Sequence, residues 1–274
     1  MINIQTSKPF LKWPGGKYRL INRINKKLGQ GKRLVEPFVG SGAVFLNTNY
    51  QEYLLADTNQ DLINLYQYLQ SEGPVFVEYS KTFFTQKNNN EDQYYRFRAE
   101  FNSSTESRLK STLFLYLNRH CYNGLCRYNS KGKFNTPFGR YSRPYFPQNE
   151  MLNFFKKAKN VEFTCDGFSD TLRRASKHDV VYCDPPYVPL SKTANFTEYT
   201  TGGFNWKDQT ALAEWATKLS ARGIQVVISN HNTSTARELY LEAGATMEKF
   251  KVRRTISCNT DKRNMVGELL AVFG

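Results

Sequence analysis

Short apolar runs alternate along this chain with longer segments whose apolar residues recur at helical spacing. The stretch "RLVEPFVGSG" reads as a strand over residues 33–37 entering a glycine turn, and "EYLLAD" reads as a second strand ending at Asp57. "NQDLINLYQYLQ" then repeats apolar side chains at helical spacing, which makes a β-turn-α-β beginning. Residues 74–119 read as helices, with the polar "KNNNED" as a break between two of them. Further on come strands near 161–165 and 179–184, a helix near 207–222, the strand "IQVVIS", a helix from about 234, and strands near 247–257 and 268–273. Strands alternating with helices predict an α/β fold around a largely parallel sheet.

The rhythm breaks once. From Ser107 to Asn149 there is no Asp or Glu, while Arg108, Lys110, Arg119, Arg127, Lys131, Lys133, Arg140 and Arg143 supply positive charge. Tyr122, Tyr128, Phe134, Phe138, Tyr141, Tyr145 and Phe146 are interleaved with them. A solvated face normally mixes signs, so this block reads as an insertion that meets a polyanion. The whole chain agrees: 38 Lys plus Arg against 24 Asp plus Glu leave a net charge of +14, which favours nucleic acid as the partner. At 274 residues the chain suits one large domain carrying a smaller inserted one. No internal repeat or low-complexity tail is visible.

The five cysteines, Cys121, Cys126, Cys165, Cys183 and Cys258, form an odd set with no C-x-x-C pair. They read as reduced core thiols of a cytosolic protein, and their spacing does not suggest a metal site. The N-terminus lacks an apolar signal core and no window approaches 18 apolar residues, so no membrane attachment is expected and a cytoplasmic protein is.

The most informative stretch is "VVYCDPPYVPL". Val180 to Cys183 read as a strand covered on both faces. Pro185 and Pro186 cannot continue it; each lacks an N–H and fixes its φ, and Pro186 also biases Pro185 toward an extended conformation. The segment therefore offers acceptors and almost no donors. Asp184 adds a carboxylate at the carboxyl end of the strand, where ligands bind in open α/β sheets, and Tyr187 adds a flat ring. The other reading of these residues is a strand-ending turn with a helix cap.

The turn "EPFVGSG" reads either as a plain tight strand-to-helix turn or as a ligand-binding turn, and the first ligand form to weigh is the dinucleotide fingerprint. That fingerprint needs a third glycine where this chain has Phe45, which disfavours NAD. A P-loop is absent, because "GGKY" has neither the preceding spaced glycine nor a Ser or Thr after Lys17. A nucleoside-sized ligand with less phosphate remains. Asp57, at the end of the second strand, stands where ribose-binding acids stand; its competing role is a cap for the helix beginning at Asn59.

Seven blocks in order, "FLKWPGGK", "LVEPFVGSGAVFLNT", "LLADTNQDLINLY", "FLYLNRHCYNGLCRYN", "PFGRY", "YCDPPYVPLSKTANFT" and "VRRTIS", span nearly the whole chain and resemble the Dam-type DNA adenine methyltransferases of bacteria and phages. The resemblance implies an S-adenosylmethionine-dependent, Rossmann-like methyltransferase domain, residues 1–70 and 150–274, with a mainly helical target-recognition domain inserted at 71–149. It implies methyl transfer to the exocyclic nitrogen of a flipped-out adenine in double-stranded DNA, at GATC in the Dam branch. S-adenosylhomocysteine is then the second product, no metal takes part, and the enzyme is a cytoplasmic monomer that is nucleoid-associated or phage-encoded.

By the same resemblance, Asp184, Pro185, Pro186 and Tyr187 are catalytic. Asp184 and the Pro185 carbonyl accept the two amino N–H bonds, which is preorganised electrostatic catalysis, and Tyr187 stacks on the extruded base. The family's cofactor positions fall on Trp13, Lys17, Asp57 and Asp184, with Phe38, Gly40 and Gly42 in the glycine turn and Asp166 to Phe168 near the cofactor adenine. Trp13 has a plain core aromatic as its alternative role, and Pro14 stands where some relatives carry alanine. Arg127 is expected to read a guanine, helped by Lys12; Leu125 and Pro137 to touch a thymine methyl; Tyr122 and Asn123 to occupy the space left by the flipped base; Arg140 and Tyr141 to hold phosphates. Two other readings stay open. One is an amino-group methyltransferase on RNA or cytosine, which the aspartate that begins the motif and the recognition block disfavour. The other is a DNA-binding regulator without turnover, which the intact Asp-Pro-Pro-Tyr set weakens.

Overall fold

The computed structural model describes residues 6–188, 204–253 and 265–274. Residues 189–196 of the "YCDPPYVPLSKTANFT" block with its final Thr197, residues 254–257 of "VRRTIS", and Cys258 lie outside the described residues. In chain order the strands are β1 Arg33–Glu36, β2 Glu52–Ala56, β3 Val161–Thr164, β4 Asp179–Cys183, β5 Gln225–His231, β6 Thr246–Arg253 and β7 Met265–Phe273. The helices are α1 Ile21–Asn25, α2 Gln60–Glu72, α3 Pro74–Lys81, α4 Glu91–Ser103, α5 Ser107–His120, α6 Gln148–Lys157, α7 Phe168–Arg173, α8 Trp206–Ser220 and α9 Ser234–Glu242. The chain divides into two compact units. One comprises Met1–Ile21, Val39–Asn49 and Asp57–Cys165; the other comprises Asn22–Phe38, Tyr50–Ala56 and Asp166–Gly274.

The second unit is an α/β sheet layer in the order β2-β1-β4-β5-β7-β6, a Rossmann-like order in which β1 is flanked by β2 and β4. β2, β1, β4 and β5 are parallel, while β7 runs antiparallel to both of its neighbours. Parallel strands covered on both faces are written as unbroken apolar runs, and all five residues of β4 are buried. Val35 of β1, Val181 of β4 and Val226 of β5 share one register line and one core with Leu212 and Leu219 of α8, Tyr240 of α9 and Phe273 of β7. Each such side chain contributes about 1.5–3 kcal/mol when fully buried. Asn205 starts α8 with a capping box, its side chain accepting from the first turn while Asp208 reaches back to its N–H.

The first unit is mainly helical and contains the whole of residues 71–149. Its centre is α5, buried continuously from Ser111 to Asn118, which accounts for the nearly all-apolar "LFLYL". Tyr66 of α2 stacks on Phe154 of α6 with ring centroids 4.7 Å apart, and Phe10 meets the same ring edge-on at 5.2 Å.

Three local features depart from the sequence pattern. The segment after the glycine turn forms only a 3-10 turn, Phe45–Asn47, before β2, because Gly40 and Gly42 hold left-handed φ values of 47° and 71° and the chain straightens at Thr48. α6 and α7 are helices outside those read from the sequence: α6 has ten residues and buries Met151 and Phe154, and α7 has only six. Cys126 and Cys165 are half-buried, unlike the buried Cys121 and Cys183, and Cys165 lies past the end of β3, so these two are not core thiols. Among the described residues no helix is long and apolar enough to cross a membrane.

Candidate active site and nucleic-acid interface

In the first unit the glycine turn is clamped through one residue. The Gly40 N–H donates to Asp57 Oδ2 at 3.1 Å, and its carbonyl accepts from the Tyr66 hydroxyl at 2.5 Å. Its positive φ puts the missing Cβ 2.9 Å from Trp13 Nε1, so only glycine lets the indole lie against the turn. Trp13 is half-buried and packs on backbone at the turn. Asp57 also accepts from the Asn59 N–H at 3.0 Å. The N-cap of α2 is Asn59, whose side chain takes the Leu62 N–H at 3.1 Å, so Asp57 is not the cap. Burial pushes the Asp57 carboxyl above its ordinary value, and the N–H groups of Asn59 and Gly40 pull it back. Lys17 is buried and donates to the Gly15 carbonyl at 2.6 Å, which pins the "WPGGK" loop. Gly42 is buried in the same turn.

The second unit carries the Asp184–Tyr187 turn just past β4. Asp184 is half-buried and accepts from the Ser229 hydroxyl at 2.9 Å; Ser229 in turn lies 3.1 Å from the Tyr182 hydroxyl. Pro185 is buried and Pro186 exposed. Among the described residues no donor reaches the Pro185 carbonyl, whereas the Pro186 carbonyl accepts from Gln209 Nε2 at 2.7 Å. Tyr187 packs edge-on against His231 with centroids 4.7 Å apart, and its hydroxyl donates to Glu268 at 3.3 Å. Burial, then the Asp184 charge, push the Tyr187 phenol well above its ordinary value, so it stays neutral. Phe38 and Phe168 are stacked at 5.8 Å, and Phe204 sits edge-on to both at 5.5 Å. Asp166 lies 3.7 Å from Arg174.

The basic aromatic block belongs to the first unit. Tyr122 and Asn123 project from a tight turn in which Asn123 adopts φ 53°, and the Asn123 N–H donates to the Tyr141 hydroxyl at 3.0 Å. The Tyr122 N–H donates to the Pro137 carbonyl at 2.9 Å. Lys12 Nζ sits 3.9 Å over the Tyr141 ring and donates to the Arg119 carbonyl; burial first, then the Arg119 charge, lower its pKa. Lys12, Tyr122, Asn123, Pro137 and Tyr141 thus form one cluster. The exposed Arg127 is aimed by Asn135, which accepts from its Nε at 2.8 Å, and the Leu125 carbonyl next to it accepts from Thr136 at 2.7 Å. Arg140 stands apart with φ 53°, exposed and 3.6 Å from Glu91.

The acid-free block is less uniform in space than in sequence. Arg108 pairs with Glu72 and Lys110 with Asp61, acids contributed by α2 before the block begins. Arg119 is half-buried against Tyr145. Phe204, Ser229, Gln209, Asn230 and Tyr66 were not singled out from sequence; the first two adjoin predicted residues, and a serine facing the Asp-Pro-Pro-Tyr strand end was the available signal.

The residues 13–256 match the model of the D12 class N6 adenine-specific DNA methyltransferases. A DNA adenine methylase of Serratia marcescens is 51% identical over 98% of this chain and 100% of its own length. The DNA adenine methylases of Vibrio cholerae serotype O1 and Escherichia coli K12 are each 49% identical over 98% of this chain, and over 97% and 96% of their own lengths. Among solved structures, a precorrin-6y C5,15-methyltransferase from Geobacter metallireducens gives a TM-score of 0.40 at 11% identity, over 99% of this chain and 94% of that one.

Proposed function

Because the chain belongs to the D12 class of N6 adenine-specific DNA methyltransferases, we propose that it methylates adenine within GATC in double-stranded DNA, taking the methyl group from S-adenosylmethionine. The observation that carries this reading is the Asp184–Tyr187 turn: a carboxylate held by Ser229, followed by a prolyl carbonyl that meets no donor among the described residues. Adenine's amino nitrogen is a poor nucleophile because its lone pair is delocalised into the ring. Asp184 and the Pro185 carbonyl accept one amino N–H each, favouring the pyramidal nitrogen and stabilising the positive charge that develops as the N–C bond forms; the methylated nitrogen then sheds one of its two protons along the hydrogen bond to Asp184 and on to solvent. Tyr187, neutral and held by Glu268, stacks on the base after it leaves the helix.

The residues fit the cofactor. Asp57 accepts from the two ribose hydroxyls with the lone pairs its backbone bonds leave, Gly40 supplies the close approach a Cβ would block, and Trp13 and Lys17 hold the loop beside it. Gly42 shapes the same turn, and Phe38, Asp166 and Phe168 receive the adenine ring, with Asp184 also at the cofactor. When bound, S-adenosylmethionine supplies an electrophilic sulfonium methyl and leaves as S-adenosylhomocysteine; no metal takes part.

Residues 71–149 act as the target-recognition region inserted between 1–70 and 150–274. Arg127 reads a guanine with Lys12, Leu125 and Pro137 contact a thymine methyl, Tyr122 and Asn123 fill the vacated space, and Arg140 and Tyr141 hold phosphates. The protein works as a cytoplasmic monomer. The test is transfer of labelled methyl from S-adenosylmethionine to two matched duplexes, one with GATC and one with those bases scrambled. Label only in the GATC duplex, on adenine, is expected; equal label in both refutes the site, and label on cytosine, or in neither duplex, refutes the substrate. Asp184→Ala should abolish transfer and leave duplex binding within about several-fold, and turnover in that variant sinks the mechanism.

A further inference from the structure

We infer that Gln209 is a positioning residue for methyl transfer: held by Asn230 and Tyr240, its side-chain amide anchors the Pro186 carbonyl and thereby sets the direction of the Pro185 carbonyl. The inference rests on the reading of the Pro185 carbonyl as an acceptor for the adenine amino group.

The network is fully buried and its polarity is determined from the backbone outward. Gln209, Asn230 and Tyr240 are 3%, 0% and 0% exposed, so each polar atom needs a partner. Asn230 Oδ1 accepts from two backbone donors, the Val188 N–H at 3.0 Å and the His231 N–H at 2.8 Å. An Asn230 amide turned the other way would set its NH₂ against both, so its orientation is settled. Asn230 Nδ2 therefore donates, to Gln209 Oε1 at 3.1 Å and to the Tyr240 hydroxyl at 3.0 Å. The Tyr240 hydroxyl in turn donates a hydrogen bond to Gln209 Oε1 at 3.4 Å. With its oxygen committed twice, Gln209 presents Nε2 to the Pro186 carbonyl at 2.7 Å.

The consequence for the turn follows from proline geometry. The Pro186 ring fixes φ, so between the anchored Pro186 carbonyl and the Pro185 carbonyl only one soft torsion, ψ of Pro186, is left. The far side is held by β4, whose Cys183 is in register with Ile228. The near side is held by Val188, through its N–H to Asn230 and its carbonyl to His231 Nδ1 at 2.8 Å. Asn230 and Gln209 thus fasten the two peptide groups that flank Tyr187.

The test is single-turnover methyl transfer with the whole enzyme, saturating S-adenosylmethionine and a GATC duplex, for Gln209→Met, which keeps length and loses both polar ends. The rate constant should fall roughly 10- to 100-fold, the scale of a sub-ångström to one-ångström misplacement, while the dissociation constants for S-adenosylhomocysteine and duplex stay unchanged. A purely structural role instead lowers the amplitude, which counts folded enzyme, and leaves the constant alone. Should Gln209→Met fail to fold, Tyr240→Phe removes only the remote hydroxyl and should slow the same constant roughly two- to tenfold. A wild-type constant in whichever variant folds, with Asp184→Ala inactive alongside, overturns the role of Gln209 and leaves that of Asp184 standing. Normal turnover by Asp184→Ala overturns the underlying reading instead.

Discussion

Gly40→Ala tests whether the glycine turn is a built ligand surface or a tight turn of no consequence. Two costs can be separated. Gly40 has φ +47°, and an L side chain in the left-handed region costs about 1–2 kcal/mol. In addition the new Cβ would stand 2.9 Å from Trp13 Nε1 and 3.1 Å from Trp13 Cδ1, so the indole must retreat by a few tenths of an ångström. Gly223 supplies the control, since it has φ +74° and nothing within 4 Å of its added Cβ. Gly223→Ala should therefore lose about 1 kcal/mol and leave cofactor binding untouched. Gly40→Ala should lose about 1–3 kcal/mol and also weaken S-adenosylhomocysteine by roughly tenfold or more, because the displaced turn carries the N–H that orients Asp57. Urea midpoints at constant m-value and calorimetric titration measure the two effects. In a double-mutant cycle, Trp13→Ala should relieve part of the stability cost of Gly40→Ala. The reasoning fails if Gly40→Ala and Gly223→Ala are equally destabilised and both bind S-adenosylhomocysteine like the wild type.

Arg127→Ala should relax discrimination at one base pair by about 1–3 kcal/mol, read from transfer rates on a panel of single-substituted sites; uniform weakening at every site would make Arg127 a phosphate ligand. His120 gives a pH prediction. Burial, with smaller contributions from the Lys12 and Arg119 charges, lowers its pKa from 6.5 to about 4, against the opposing bond to the Tyr116 carbonyl. Between those values the unfolded chain binds a proton that the folded chain does not, so stability is present above pH 6.5 and is lost as pH falls toward 4. At pH 5 the loss is about 2 kcal/mol, and His120→Gln should flatten the unfolding free energy between pH 7 and 5 by that amount; parallel pH slopes for the two proteins would refute it.

What was legible in the sequence divides by how locally each signal is written. β4 and the turn beyond it announce themselves, because Val180 to Cys183 are apolar in a row and Pro185 and Pro186 end a strand wherever they stand. Gly40 and Asp57 are legible for a similar reason: a left-handed turn needs glycine, and an acid at a strand end is conspicuous. Signals that depend on distant partners were not. Arg108 and Lys110 look like open positive charge until Glu72 and Asp61 are brought beside them. Gln209 and Asn230 look like surface residues, since nothing in "KDQTALAEW" or "VVISNHN" says that an amide will be buried. Their burial is tolerable only because each completes the other's hydrogen bonds across 21 residues of chain. The same separation explains why they suit a positioning role. An amide fixed by packed elements on either side holds the strand-end turn more rigidly than a neighbour in that turn could, since a neighbour would share every motion of the backbone it was meant to restrain.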